Sequence, residues 1–219
     1  MEKTTVEQVS KVIDIRLLTN STFVLRFEKN DISFRAGQYL ILGTKNNPER
    51  REYSIYSPEK ADYLEVLVKL VELGSVSRRL FELKGGDPLY IQGPLGFFNL
   101  DNSEPDAKHV FIASGSGISP FHSMALSYPE INYTLLHGVR KLDEGYERNH
   151  YVKGRYLQCT SGEKGSEFFG RVTDYLKKHR PDPLAHYYLC GNSGMIDEVW
   201  NILEDNDVSV KNIHAEVYF

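Results

Sequence analysis

The hydrophobic pattern of this chain changes character once, near its middle, and that change limits the fold more than any other feature. From Val12 to Gln92 apolar residues come in short alternating or β-branched runs: Phe23 to Phe27, Tyr39 to Leu42, Glu52 to Tyr56, Tyr63 to Val71 and Pro88 to Gln92. Turn residues separate them at Gly37, Asn46-Asn47-Pro48, Ser57-Pro58 and Gly85-Gly86-Asp87. Short period-two runs closed by turns predict an antiparallel β-barrel. One segment, Val76 to Leu83, carries Leu80, Phe81 and Leu83 at near-helical spacing behind Ser75 and Ser77, and predicts a short helix capped by those serines.

The polar stretch Asp101-Asn102-Ser103-Glu104-Pro105-Asp106 ends this pattern and sets the expected boundary, residues 1–103 before it and 104–219 after it. Beyond it, buried-strand runs at His109 to Ala113, Tyr133 to Gly138, Arg155 to Cys159 and Tyr187 to Cys190 alternate with helix-like segments that include Val172 to His179 and Met195 to Leu203. Alternation of that kind predicts a doubly wound parallel sheet with helices on both faces. The run His214 to Phe219 reads as a last strand ending in aromatics. A length of 219 residues suits two domains of roughly 100 residues each.

Composition excludes several classes. No stretch reaches the roughly 18 apolar residues of a spanning helix, and the start, Met1 to Lys11, is charged rather than signal-like, so the expected address is cytoplasmic, with no membrane insertion. The two cysteines, Cys159 and Cys190, form no CxxC pair, so neither a metal site nor an iron–sulfur cluster is expected, and redox chemistry needs an organic cofactor. A net charge of -4 argues against general nucleic-acid binding. Arg78, Arg79 and Lys84 form a local basic cluster, either a docking surface or a solvated face.

Two glycine corners follow strands and open helices. The first, Ala113-Ser114-Gly115-Ser116-Gly117-Ile118-Ser119-Pro120, allows close backbone approach to an anion in front of a helix N-terminus. A plain βα turn satisfies the same pattern. The second, Leu189-Cys190-Gly191-Asn192-Ser193-Gly194-Met195-Ile196, puts another such corner on the same rim, the carboxyl ends of parallel strands, where open α/β sheets bind ligands. In the first half, Arg51-Glu52-Tyr53-Ser54 lies on a barrel strand, with Arg51 and Tyr53 on one face. An arginine beside an aromatic ring and a hydroxyl suits a cofactor with phosphate and a flat ring, and it equally suits an ordinary barrel strand.

Taken in order, RxYS at Arg51 to Ser54, GxVS at Gly74 to Ser77, GxGxxP at Gly115 to Pro120, CGNxxM at Cys190 to Met195 and a terminal ExYF at Glu216 to Phe219 resemble the ferredoxin–NADP reductase family, over nearly the whole chain. The resemblance implies an N-terminal flavin barrel, a C-terminal fold that binds NADP(H), and electron exchange with ferredoxin or flavodoxin. It implies that Arg51 contacts the flavin pyrophosphate, Tyr53 stacks on the isoalloxazine ring and Ser54 bonds near its N5 atom. Leu67, Val68 and Lys69 would line the cofactor with backbone groups, and Gly74, Val76 and Ser77 would bring helix N–H groups to the pyrophosphate, which suits FAD more than FMN. Tyr218 would cover the flavin face opposite Tyr53 until the nicotinamide displaces it, Phe219 would pack near the adenine, and Glu216 would influence proton supply.

For the nucleotide, the resemblance implies that Gly115, Ser116 and Gly117 hold the pyrophosphate, that Cys190 approaches the nicotinamide, and that Gly191, Asn192 and Met195 complete the corner. Arg140 is the first candidate for the adenosine 2′-phosphate and Arg171 the second. After Cys159-Thr160, where bacterial members often carry a further arginine, this chain has Ser161-Gly162-Glu163, which weakens NADP against NAD. Two other functions keep the same fold: a reductase component of an oxygenase or other multicomponent system, and a flavin-binding sensor without turnover. An acidic carrier would be steered by Arg78, Arg79 or Lys84.

Overall fold

The computed structural model describes residues 8–45, 48–71, 74–100 and 107–218. Their contacts divide the chain into two compact units, one within Met1–Asn99 plus His122–Ser127 and one within Leu100–Phe121 plus Tyr128–Phe219. The boundary expected between residues 103 and 104 lies outside the described residues.

The first unit holds β1 (Gln8–Thr19), β2 (Thr22–Glu28), β3 (Tyr39–Thr44), β4 (Arg51–Ser54), β5 (Tyr63–Lys69), α1 (Ser75–Phe81) and β6 (Pro88–Leu95). The strands form one sheet in the order β4-β3-β6-β1-β2-β5, every pairing antiparallel. Its outer strands meet through an antiparallel bridge between Ile55 and Val66, and Tyr56 N–H donates to the Glu65 carbonyl at 2.7 Å. That closure satisfies the backbone groups an open edge would leave exposed and turns the sheet into the expected barrel. Phe23, Leu25, Phe27, Leu40, Leu42, Ile55, Val66 and Ile91 fill its interior. The alternation of β2 and β5 sends these side chains to one face, the pattern that made both strands legible.

β1 was not legible. Its pairing with β2 slips between Val12 and Asp14 and again between Leu17 and Thr19, so its apolar residues fall out of period two. Val12 is buried while Val9, Ile13 and Leu17 face outward. The expected serine caps of α1 are corrected as well. Gly74 occupies the cap position without a side-chain bond, Ser75 and Ser77 lie inside the helix, and the Ser77 hydroxyl accepts from Val71 N–H at 3.3 Å. Ser77 therefore braces the loop before the helix.

The second unit holds β7 (His109–Ser114), a 3-10 turn (Gly115–Ile118) leading into α2 (Ser119–Ser127), β8 (Tyr133–Val139), β9 (Tyr156–Thr160), β10 (Phe168–Phe169), α3 (Val172–Lys178), β11 (His186–Asn192), α4 (Ser193–Glu204) and β12 (Ile213–Tyr218). The His122–Ser127 part of α2 belongs to the first unit, where His122 Nδ1 lies 2.7 Å from the Tyr56 carbonyl and Ser123 Oγ donates to the Ser57 carbonyl at 2.7 Å. The six strands are parallel in the order β10-β9-β8-β7-β11-β12. One face packs Val110, Ile112 and Leu189 against Val172, Leu176, Val199 and Leu203 of α3 and α4. On the other, Phe111 stacks on Phe121 of α2 at 4.8 Å between ring centroids. Helices thus cover both faces, as expected of a doubly wound sheet. Among the described residues no helix is long and apolar enough to cross a membrane.

Candidate active site

Two sets of residues stand out, one in each unit. In the barrel, pairing of β4 with β3 sets Leu42 against Arg51, Leu40 against Tyr53 and Tyr39 against Ser54. Along this short strand exposure falls from the exposed Arg51 and Glu52 through the half-buried Tyr53 to the buried Ser54. Burial pushes the Tyr53 phenol up to about 12, against the opposing charge of Arg51, so the ring is neutral across the physiological range. Leu67 and Val68 are buried on the adjoining β5 and Lys69 is exposed. Around Gly74, space is tight: a Cβ there would come within 2.9 Å of Val71 Cβ and 3.0 Å of Ser77 Oγ. An exposed guanidinium, a neutral half-buried ring and a buried hydroxyl within four residues match the chemistry of a flat ring that carries a pyrophosphate.

In the second unit the strand order reverses between β7 and β11, because the chain runs outward from β7 to β10 and then returns to place β11 on the other side. Ligands bind at such a switch point, outside the carboxyl ends of the strands. Here both glycine corners interlock. A Cβ on Gly117 would lie 2.3 Å from the Cys190 carbonyl oxygen, and one on Gly191, at φ +131, would lie 2.3 Å from Ser114 Oγ. Asn192 N–H donates to Ser114 Oγ at 2.9 Å, and its side-chain oxygen caps α4 by accepting from Met195 N–H. Gly115, at φ +53, would project a Cβ into open space. The two loops therefore meet backbone to backbone, and an anion can approach the first of them from the open side of Gly115.

β12 brings the C-terminal residues to the same rim. Its parallel register sets Glu216 beside Cys190 and Tyr218 beside Asn192. Cys190 is fully buried, and burial together with the Glu216 charge holds its thiol well above the usual range, against a hydrogen bond from Tyr218. The group is a neutral thiol. Phe219 lies outside the described residues.

The two arginine candidates sit on loops at the carboxyl ends of β8 and β10. Arg140 is exposed, and the loop behind it is heavily tied. The Glu144 carboxylate accepts from the N–H groups of Arg140 and Lys141 at 2.9 and 3.0 Å, and the buried Gln158 amide donates to the Lys141 and Leu142 carbonyls. Arg171 is exposed at the cap of α3, its N–H donating to Asp174 at 2.9 Å. Gly162 N–H donates to the Arg140 carbonyl, and a Cβ on Gly162 would fall 2.9 Å from that oxygen. A side chain at this position requires the loop to shift.

Sequence reasoning passed over His137, Tyr156, Gln158 and Ser114. All four are polar residues inside strands, and nothing local in the sequence separates such a residue from an ordinary strand position.

Residues 5–100 match the family described as Oxidoreductase FAD-binding domain. A flavodoxin/ferredoxin–NADP reductase of Buchnera aphidicola subsp. Schizaphis graminum is 27% identical to this chain, over 94% of each protein. Over nearly its whole length the chain is similar to ferredoxin–NADP reductases, and its first half to an FAD-binding domain. The chain is also 30% identical to the phenol hydroxylase P5 protein of Acinetobacter pittii, over 94% of its own length but only 64% of that protein. Its fold is that of a ferredoxin NADP+ reductase from Neisseria gonorrhoeae solved with FAD and NADP, at a TM-score of 0.87 and 24% identity, covering 97% of this chain and 99% of the other. The matched FAD-binding residues contain the whole strand from Arg51 to Ser54.

Proposed function

We propose that this chain passes electrons between NADPH and ferredoxin or flavodoxin through FAD, in the cytoplasm, with the flavin on residues 1–103 and the nucleotide on residues 104–219. The observation that carries the reading is the convergence of Cys190, Glu216 and Tyr218 on the rim where the two glycine corners interlock, in a chain whose other unit is an FAD-binding domain. When bound, FAD supplies the exchange of a hydride for two single electrons.

The chain's own residues bind and orient. Arg51 holds the pyrophosphate with the N–H groups around Gly74, Val76 and Ser77, while Leu67, Val68 and Lys69 line the flavin. Tyr53 presents a neutral ring to the flavin, and Tyr218 offers the ring that the nicotinamide displaces. Ser54 gives a hydroxyl at the redox edge. Gly115, Ser116 and Gly117 take the nucleotide pyrophosphate, with Gly191, Asn192 and Met195 closing the corner, and Phe219 meets the adenine. Because Cys190 is a buried neutral thiol, it acts as a small weak donor against the nicotinamide and not as a nucleophile. Glu216, beside it, is the group able to hold and move a proton. Arg140 and Arg171 take the 2′-phosphate.

The test is the visible spectrum of the purified protein, followed by anaerobic addition of NADPH or NADH. Flavin bands that bleach much faster with NADPH, and an Arg140→Ala variant that raises KM for NADPH about tenfold with little change for NADH, are the expected results. Equal rates with both dinucleotides keep the reductase and overturn the 2′-phosphate assignment; a protein that cannot be loaded with FAD overturns the whole reading.

Arg78, Arg79 and Lys84 are exposed on and just after α1, next to the partly exposed Phe81. This mixed basic and apolar patch suits an acidic carrier. Reduction of such a carrier should slow severalfold as salt rises from 50 to about 300 mM, while reduction of a neutral dye does not. A carrier rate independent of salt removes the patch from the docking surface. A second reading, the reductase component of a multicomponent oxygenase, is favoured by the phenol hydroxylase relative. It requires a separate cluster-bearing partner, and preferential reduction of such a partner over flavodoxin would establish it.

A further inference from the structure

We propose that His137, oriented by Tyr156, is a positioning residue for the nucleotide turn, anchoring the Gly115 carbonyl so that the N–H groups after it face the pyrophosphate. The proposal deepens the function given above and rests on it. His137 lies within β8, opposite Ala113 of β7, and is fully buried. A buried imidazole needs a partner at each nitrogen. Nε2 lies 2.8 Å from the Gly115 carbonyl oxygen, and Nδ1 lies 2.8 Å from the Tyr156 hydroxyl. A carbonyl can only accept, so Nε2 carries the proton; Nδ1 then accepts, and the Tyr156 hydroxyl donates to it. Tyr156 thus selects the tautomer that grips the turn.

The tyrosine is itself held in place. Its ring stacks on Tyr151 at 5.1 Å between centroids, and the Arg148 guanidinium lies 5.5 Å from its centroid. At the other end of the relay, Gly115 adopts φ +53, and a Cβ there would meet nothing within 4 Å. In a trans peptide the carbonyl and the next N–H point in opposite directions. With the Gly115 carbonyl drawn to His137, the Ser116 N–H points away from the sheet, on the side from which an anion can reach the loop. Burial holds the imidazole neutral, with its pKa lowered to about 4, so the grip is constant at neutral pH.

The experiment uses the full FAD-loaded protein and calorimetric titration with NADP+ and NAD+. His137→Phe keeps a flat ring and removes both hydrogen bonds; it should weaken NADP+ binding about tenfold, with the loss in turnover appearing in KM for NADPH more than in kcat. His137→Gln places an amide N–H near the former Nε2 and should restore most of that affinity, which a mere packing role would not do. In hydrogen exchange, the amides of Ser116, Gly117 and Ile118 should open faster in the phenylalanine variant than in the glutamine variant. Tyr156→Phe leaves the imidazole in place but removes its orienting donor, so it serves if the first variant does not fold; it should also weaken NADP+ binding and abolish the single tautomer seen by 15N NMR. Unchanged NADP+ affinity in His137→Phe and Tyr156→Phe, or equal losses in the phenylalanine and glutamine variants, would overturn the proposal while leaving the reductase reading intact. A wild-type protein that binds neither dinucleotide would overturn that reading, and the positioning role with it.

Discussion

Replacing Gly117 with alanine is expected to cost at least a hundredfold in NADP+ affinity while leaving FAD bound. The added Cβ would lie 2.3 Å from the Cys190 carbonyl oxygen, 2.6 Å from its carbon and 2.7 Å from Gly191 Cα. All three are backbone atoms, so no side-chain rotation relieves the overlap and the two loops must separate. Gly191→Ala meets Ser114 Oγ at 2.3 Å and also forces an L-residue to φ +131, so it should be equally damaging. Gly154→Ala, outside both glycine corners, is the control. Its Cβ meets nothing within 4 Å, and its cost is that of an alanine at positive φ, +84, about 1 kcal/mol. Calorimetry with NADP+ alongside the flavin spectrum checks the series. If Gly117→Ala and Gly154→Ala bind alike, the interlocked corners are not the nucleotide site.

Acid should weaken the folded protein through His137. Burial lowers its pKa from 6.5 to about 4, against the opposing effects of its bond to Gly115 and the charge of Glu144. The unfolded chain therefore takes up this proton first as pH falls. Stability from the neutral imidazole is complete above about pH 6.5 and is lost progressively as pH falls toward 4. At about 1.4 kcal/mol per pH unit, the loss is on the order of 3 kcal/mol. His137→Gln has nothing to titrate there, and any contribution of the other histidines is common to both proteins. Urea unfolding at pH 7 and pH 4.5 should show the wild type losing about 2–3 kcal/mol more than the glutamine variant. Equal losses would mean that the imidazole is not held neutral.

The barrel strands from Phe23 onward and five of the six parallel strands of the second unit were legible because alternation and buried apolar runs are properties of consecutive residues; the two-residue β10 is too short to show either. β1 was hidden by two slips in its pairing, at Val12/Asp14 and Leu17/Thr19, that only the partner strand reveals. Ser75 and Ser77 looked like helix caps because the residue types are right, yet the helix begins at Ser75 itself and Ser77 turns back to Val71. In the candidate site, Arg51 to Ser54 and both glycine corners could be read as motifs, since each occupies a short contiguous stretch. The relay from Tyr156 through His137 to Gly115 could not, because its members lie 19 and 22 residues apart and are joined only by strand pairing.

By itself, then, the sequence determined most of the strands and helices and where their character changes, and it marked short motifs suited to phosphate and ring chemistry, because periodicity, turn preference and residue type act over a few neighbouring positions. Tertiary structure alone decided that Ser114 meets Asn192 across 78 residues, that Gly117 touches Cys190, that Glu216 stands beside that thiol, and that His137 is neutral. Those facts depend on the register of strands distant in the chain and on how completely each polar group is withdrawn from water, and neither quantity is a property of any local run of residues.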